Sequence, residues 1–131
     1  MFNVLLILLL LLFSTSALAA AVRYVDVNST NATPPYTNWA TAAVTIQDSV
    51  DATVAGDEIV VTNGVYAPVT VDKPLALRSV NGPDVTVIDG LAELQCLYLA
   101  SNSLMVGFTL TNGWTWGEKA QECTANPLTP C

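Results

Sequence analysis

Eleven carboxylates, four cations and no histidine limit the chemistry open to this chain of 131 residues. Without histidine, Ser/His/Asp and Cys/His catalysis are both excluded. The three cysteines form no C-x-x-C, so a zinc site is not expected. Calcium needs several oxygens converging on one point. Asp57 and Glu58 precede one β-run and Asp84 and Asp89 fall around another, so stacked runs would offer one acid from each. The competing reading makes them ordinary turn residues, and on that reading no cofactor is expected, calcium included. Two spaced carboxylates can cleave a glycosidic bond, but eleven acids supply such a pair by chance, so no catalytic residue is assigned. The glycines sit singly at corners and build no phosphate-binding loop. Trp114 and Trp116 would stack on sugar rings if both were exposed on one face, whereas capping a core is their competing role. Tyr66 and Tyr98 are expected in core or cap packing.

The elements that must position these residues begin after a leader. Val4 to Phe13 is an unbroken apolar run, followed by Ser14–Ser16 and then Ala17-Leu18-Ala19, an A-x-A cleavage pattern. Residues 1–19 therefore read as a signal peptide. The protein is expected to be secreted or at the cell surface, with no membrane span after cleavage. The leader has no charged side chain, so the net charge of −7 stays on the exported part. With so few cations, nucleic acid is not an expected partner. In an oxidising compartment, Cys123 and Cys131 either close a small loop around TANPLTP, leaving Cys96 as a thiol, or all three stay unpaired.

Residues 20–44 hold a first strand, RYVDV, and a polar loop with Pro34, Pro35 and sequons at Asn28 and Asn31. The stretch from Thr45 to Tyr66 predicts a short helix. Thr45 is its N-cap, and Ile46, Val50 and Val54 form an apolar stripe that stops at Gly56. Short β-runs follow up to Gly113. Val69 and Val71, Leu75 and Leu77, and Val106, Phe108 and Leu110 alternate inward. VVTNG, TVIDG and TLTNG end alike, with glycines 26 and 23 residues apart. A period in this range points to stacked units whose inward residues form continuous columns. An antiparallel sandwich also uses many short strands, but the leading helix and the spacing favour the solenoid. The helix would then close its first coil, and burying its three apolar side chains is worth about 5 kcal/mol before entropy. The expected fold is all-β: a right-handed parallel β-helix with a short N-terminal capping helix over two to three coils.

TIQDSVDATVAGDEIVVTNGVY resembles the entrance to right-handed parallel β-helix proteins of the pectin-lyase-like class. KPLALRSVNGPDVTVIDG and GFTLTNG resemble the coils of its secreted and cell-surface bacterial members. The resemblance covers about Arg23 to Gly113. It implies a fold rather than an activity, because the class contains polysaccharide lyases and hydrolases as well as adhesins. Lyases of the class hold calcium on clustered acids with a nearby basic residue, but in coils later than those present here. Members usually run on for many more coils, whereas here residues 114–131 show no further repeat. That implies a chain cut short or an irregular C-terminal cap. The expected function is a surface module without catalysis of its own, for adhesion, display or scaffolding, with extracellular polysaccharide or a cell-surface component as partner. The alternatives are the N-terminal part of a polysaccharide-acting enzyme, or a small carbohydrate-binding module using Trp114 and Trp116.

Overall fold

The computed structural model describes residues 19–92, 95–115 and 118–119. Residues 1–18 of the expected leader (1–19) lie outside them, as do Trp116, Cys123 and Cys131. Within the described residues the chain forms β1 (Val22–Val25), a 3-10 turn (Trp39–Thr41) and α1 (Ile46–Asp51). The strands β2 (Glu58–Val61), β3 (Gly64–Tyr66), β4 (Val69–Val71), β5 (Ala76–Ser79) and β6 (Thr86–Asp89) follow. After them come β7 (Leu97–Leu99), β8 (Leu104–Val106), β9 (Thr109–Thr111), β10 (Trp114–Thr115) and β11 (Glu118–Lys119).

The architecture is all-β, with parallel sheets and little helix. One sheet has the order β1-β2-β5-β8, a second β3-β6-β9 and a third β4-β7, and every pairing within them is parallel. The chain visits the first, second and third sheets in turn and returns beside the strand it left. Among the described residues, only β10 and β11 pair antiparallel.

Strands of three or four residues have one or two inward side chains each, so the core is built between strands. Ile59 and Val61 of β2, Leu77 of β5, Val71 of β4 and Ile88 of β6 are at most 1% exposed. Register aligns them in columns: Ile59 lies beside Leu77, and Ile88 beside Leu110. The intervening residues Glu58, Val60 and Arg78 face outward, as period-two alternation requires. Tyr66 is buried, as expected. Tyr98 is 54% exposed, because its partner in register is the outward Thr70.

Thr45 caps α1 as the sequence predicts, its hydroxyl accepting from the Asp48 amide at 3.0 Å. The helix is shorter than expected and does not run to Gly56. Its Val50 carbonyl is taken by the Thr53 hydroxyl at 2.6 Å and by Lys73 Nζ at 3.1 Å, so the chain leaves the helix after Asp51. Val54, expected on the buried stripe, is 48% exposed, whereas Ile46 and Val50 are buried against the core.

Two further expectations are corrected. The inward run Val106, Phe108, Leu110 is broken at Gly107, whose φ of +82° turns the corner between β8 and β9. Phe108 and Leu110 stay buried, and Val106 faces out beside Arg78. The three similar motifs are not three equivalent rungs. TVIDG and TLTNG contribute β6 and β9, which stack in the second sheet, but VVTNG ends β2 in the first. The true repeat in the second sheet is 22 residues, from Gly64 to Thr86 and from Val87 to Thr109. The corner after β6 is turned by Leu91 and Ala92, both at φ 57°, and not by Asp89-Gly90.

Gly64 is needed because the chain passes close to it: a Cβ there would meet Val27 Cγ1 at 2.7 Å. Gly64→Ala should therefore lower unfolding stability by about 1–3 kcal/mol, read as a reduced urea midpoint. An unchanged midpoint would show that Val27 does not rest on β3.

Candidate functional site

Asp57 is a densely bonded point at the end of the stack where the chain begins. Its carboxylate is 2% exposed. Oδ1 accepts from the Ala21 amide at 2.9 Å, and Oδ2 accepts from the Val54 amide at 3.1 Å and from Arg23 at 3.4 Å. Its backbone carbonyl accepts from the Ala76 amide at 3.1 Å. One residue thus joins the start of β1, the turn after α1 and the start of β5. A buried carboxylate must be bonded in this way, since leaving it bare would cost several kcal/mol.

At this end the edges of β1 and β4 are covered by different devices. The free side of β1 pairs with a returning loop: the Tyr24 amide donates to the Tyr36 carbonyl at 2.8 Å, and the Ala43 amide donates to the Tyr24 carbonyl at 2.9 Å. The free side of β4 meets a side-chain amide. Gln47 Oε1 accepts from the Thr70 amide at 2.9 Å, and Gln47 Nε2 donates to the Thr70 carbonyl at 3.3 Å. That pair of bonds copies a neighbouring strand. Asp51 holds the glutamine in place, accepting from Nε2 at 2.8 Å. Beside β3, the Val27 amide donates to the Tyr66 hydroxyl at 3.3 Å, and that hydroxyl donates to the Thr62 carbonyl at 3.0 Å.

The remaining acids singled out for chemistry do not converge. Glu58 pairs with Arg78 on the outer face. Asp89 accepts from the Leu91 amide at 2.8 Å and from Asn112 Nδ2 at 3.1 Å. Register sets Glu58 beside Ala76 and Asp89 beside Thr111, so stacking does not align one acid from each coil. Among the described residues, no three of His, Cys, Asp and Glu lie together.

Trp114 falls in β10, and its proposed companion Trp116 lies outside the described residues, as do Cys123 and Cys131. Cys96 is buried, and its thiol donates to the Thr111 carbonyl at 3.3 Å. An aromatic pair that the residue pattern did not single out lies beside β1, with Tyr24 half-buried. Trp39, 44% exposed, stands edge-on to Tyr24, with ring centroids 4.6 Å apart. The Gln47 bond was also missed. Its only signal is a glutamine on a helix face next to the stripe, which reads as a solvated residue. Among the described residues, no helix is long and apolar enough to cross a membrane.

No family model matches the chain, and comparison with curated proteins and with solved structures found no match. What the geometry builds is a closed end.

Removing the Asp57 charge should open that end: Asp57→Asn should cost about 1.5–3 kcal/mol, the range for a hydrogen bond to a charged group. An unchanged thermal midpoint would contradict the bonding described. Tyr66 gives a pH test. Burial pushes its phenol above the ordinary 10.0, and Asp26 adds to this, while the bonds to Val27 and Thr62 act the other way. The unfolded chain ionises there first, so the stability present below about pH 10 is lost as pH rises toward the folded value. Tyr66→Phe should flatten that alkaline fall. An equally steep fall would place the titrating group elsewhere.

Proposed function

We propose that this chain is the closing end of a right-handed parallel β-helix, exported and displayed at the cell surface, and that it works as a scaffold without catalysis of its own. The observation that carries the reading is the repeated strand order: first sheet, second sheet, third sheet and back to a parallel neighbour, with a helix and a returning loop over one end. Right-handedness is supported by the general preference of parallel crossover connections, about 98% of which take that hand. The likeness of Thr45–Tyr66 to the entrance of pectin-lyase-like proteins supports it independently. The commitment of the acids supports a structural role. Asp57, Glu58, Asp51 and Asp89 each hold a turn, a strand or a side chain. Export rests on the apolar leader and its A-x-A pattern.

Expressed with its own leader in a bacterial host, the chain is expected outside the cytoplasm and beginning at Ala20 by mass spectrometry. It is expected to release neither reducing ends nor unsaturated products from pectin and related polysaccharides. Uncut chain in the cytoplasm would remove the export half of this reading, and product release would remove the non-catalytic half.

A further inference from the structure

Of the chain's asparagines, only Asn28 and Asn31 begin an N-x-S/T sequence, as Asn28-Ser29-Thr30 and Asn31-Ala32-Thr33. Both lie in the loop that returns to β1, and both are exposed. Other loop asparagines spend their carboxamides on the fold. Asn38 accepts from the Thr41 amide, Asn81 donates to Asn63, and Asn112 donates to Asp89. Among the described residues, nothing bonds the Asn28 or Asn31 carboxamide.

The two sequons are not equivalent. Asp26 stands two residues before Asn28, giving D-V-N-S-T, whereas Ser29 holds that place before Asn31. An acid there matters, because single-subunit bacterial oligosaccharyltransferases grip the acceptor by pairing a cation with it. Asp26 also shapes the turn. Its Oδ1 accepts from the Asn28 amide at 2.9 Å, and its carbonyl accepts from the Ser29 amide at 2.9 Å. The third residue differs too. Thr30 is exposed and makes no hydrogen bond among the described residues. Thr33 donates its hydroxyl to the Asn31 carbonyl at 3.1 Å and its amide to the Thr41 carbonyl at 3.1 Å. Pro34 follows it and restricts its backbone. A transferase therefore finds a free carboxamide, a free hydroxyl and an acid together at Asn28, and only the first of these at Asn31.

We propose that Asn28 is the acceptor of an N-linked oligosaccharide, taken from a lipid-diphosphate donor on the exported side of the membrane. Asn28 Nδ2 forms a bond to C1 of the donor's first sugar. The bond from C1 to the diphosphate oxygen breaks, and the lipid diphosphate leaves with that electron pair. The amide gives up one proton to a base of the transferase. The fold accommodates the glycan, because the bonds tying this loop to β1 run through the backbone of Tyr24, Tyr36 and Ala43 and not through Asn28. The inference rests on the export reading, since only an exported chain meets the donor and its transferase.

The test expresses the full chain with its own leader in a bacterial host that carries a single-subunit oligosaccharyltransferase and its lipid-linked glycan. Mass is measured on the intact product and on its proteolytic peptides. The product is expected to begin at Ala20 and to carry one glycan, on the peptide holding Asn28. Asn28→Gln and, separately, Thr30→Ala should lose it, and Asn31→Gln should keep it, with circular dichroism unchanged in all three. Asp26→Asn should also lose it, although the new side-chain oxygen can still accept from the Asn28 amide and preserve the turn. Chain cut before Ala20 but bearing no glycan would overturn this proposal and leave export standing. Uncut chain in the cytoplasm would overturn both. A glycan on Asn31 alone, or one that persists in Asp26→Asn, would equally overturn the assignment.

Discussion

A carboxylate taken out of water has to be bonded on all sides, and the position of Asp57 makes that requirement organise the structure. Its oxygens hold the chain just before β1, the guanidinium on β1 and the turn leaving α1, and its carbonyl receives β5. The first strand, the cap and the first return of the chain are fixed relative to one another at this one residue. The later rungs inherit that register through ordinary parallel pairing. Ion pairing adds little by itself, since the Arg23 contact is long at 3.4 Å. The amides carry most of the constraint, because they leave the carboxylate one place to sit.

From that fixed first rung, the shape follows from short strands and corners of unequal length. Two residues connect β2 to β3 and β8 to β9, but six connect β5 to β6, and the extra length emerges at the corner without disturbing the pairing on either side. Asparagine side chains tie corners across rungs, Asn81 donating to Asn63 at 2.6 Å. Insertions are tolerated because each rung's register is set by its neighbours and not by the loop that leads into it. The capping elements act under a different demand. An edge strand has free donors and acceptors, and this chain satisfies them with whatever is near: backbone at β1 and a glutamine at β4.

Much of this was legible in the residues. Short alternating runs with glycine corners give an all-β chain, and Thr45, Ile46 and Val50 locate the cap helix and its buried face. The motif VVTNG misled, because similarity of a strand end does not say which sheet it ends. Only pairing register separates VVTNG from TVIDG and TLTNG. Val106 misled for a related reason: alternation counts through Gly107 as if the strand were continuous, and a positive φ there resets which side faces in. Asp57 and Gln47 were illegible as structural hubs, since Ala21 lies 36 residues from Asp57 and Thr70 lies 23 residues from Gln47. The tryptophans and cysteines singled out for binding or pairing fall at the end of the chain where the strand pattern had already stopped.

The account depends on successive returns of the chain lying parallel and in register. Nuclear Overhauser contacts in the isotopically labelled protein test this most directly at Ile59 and Leu77. The structure predicts amide-to-Hα contacts of the parallel kind linking Arg23, Ile59, Leu77 and Met105 in sequence across the first sheet. Strong Hα-to-Hα contacts between β2 and β5, the mark of antiparallel neighbours, would contradict it.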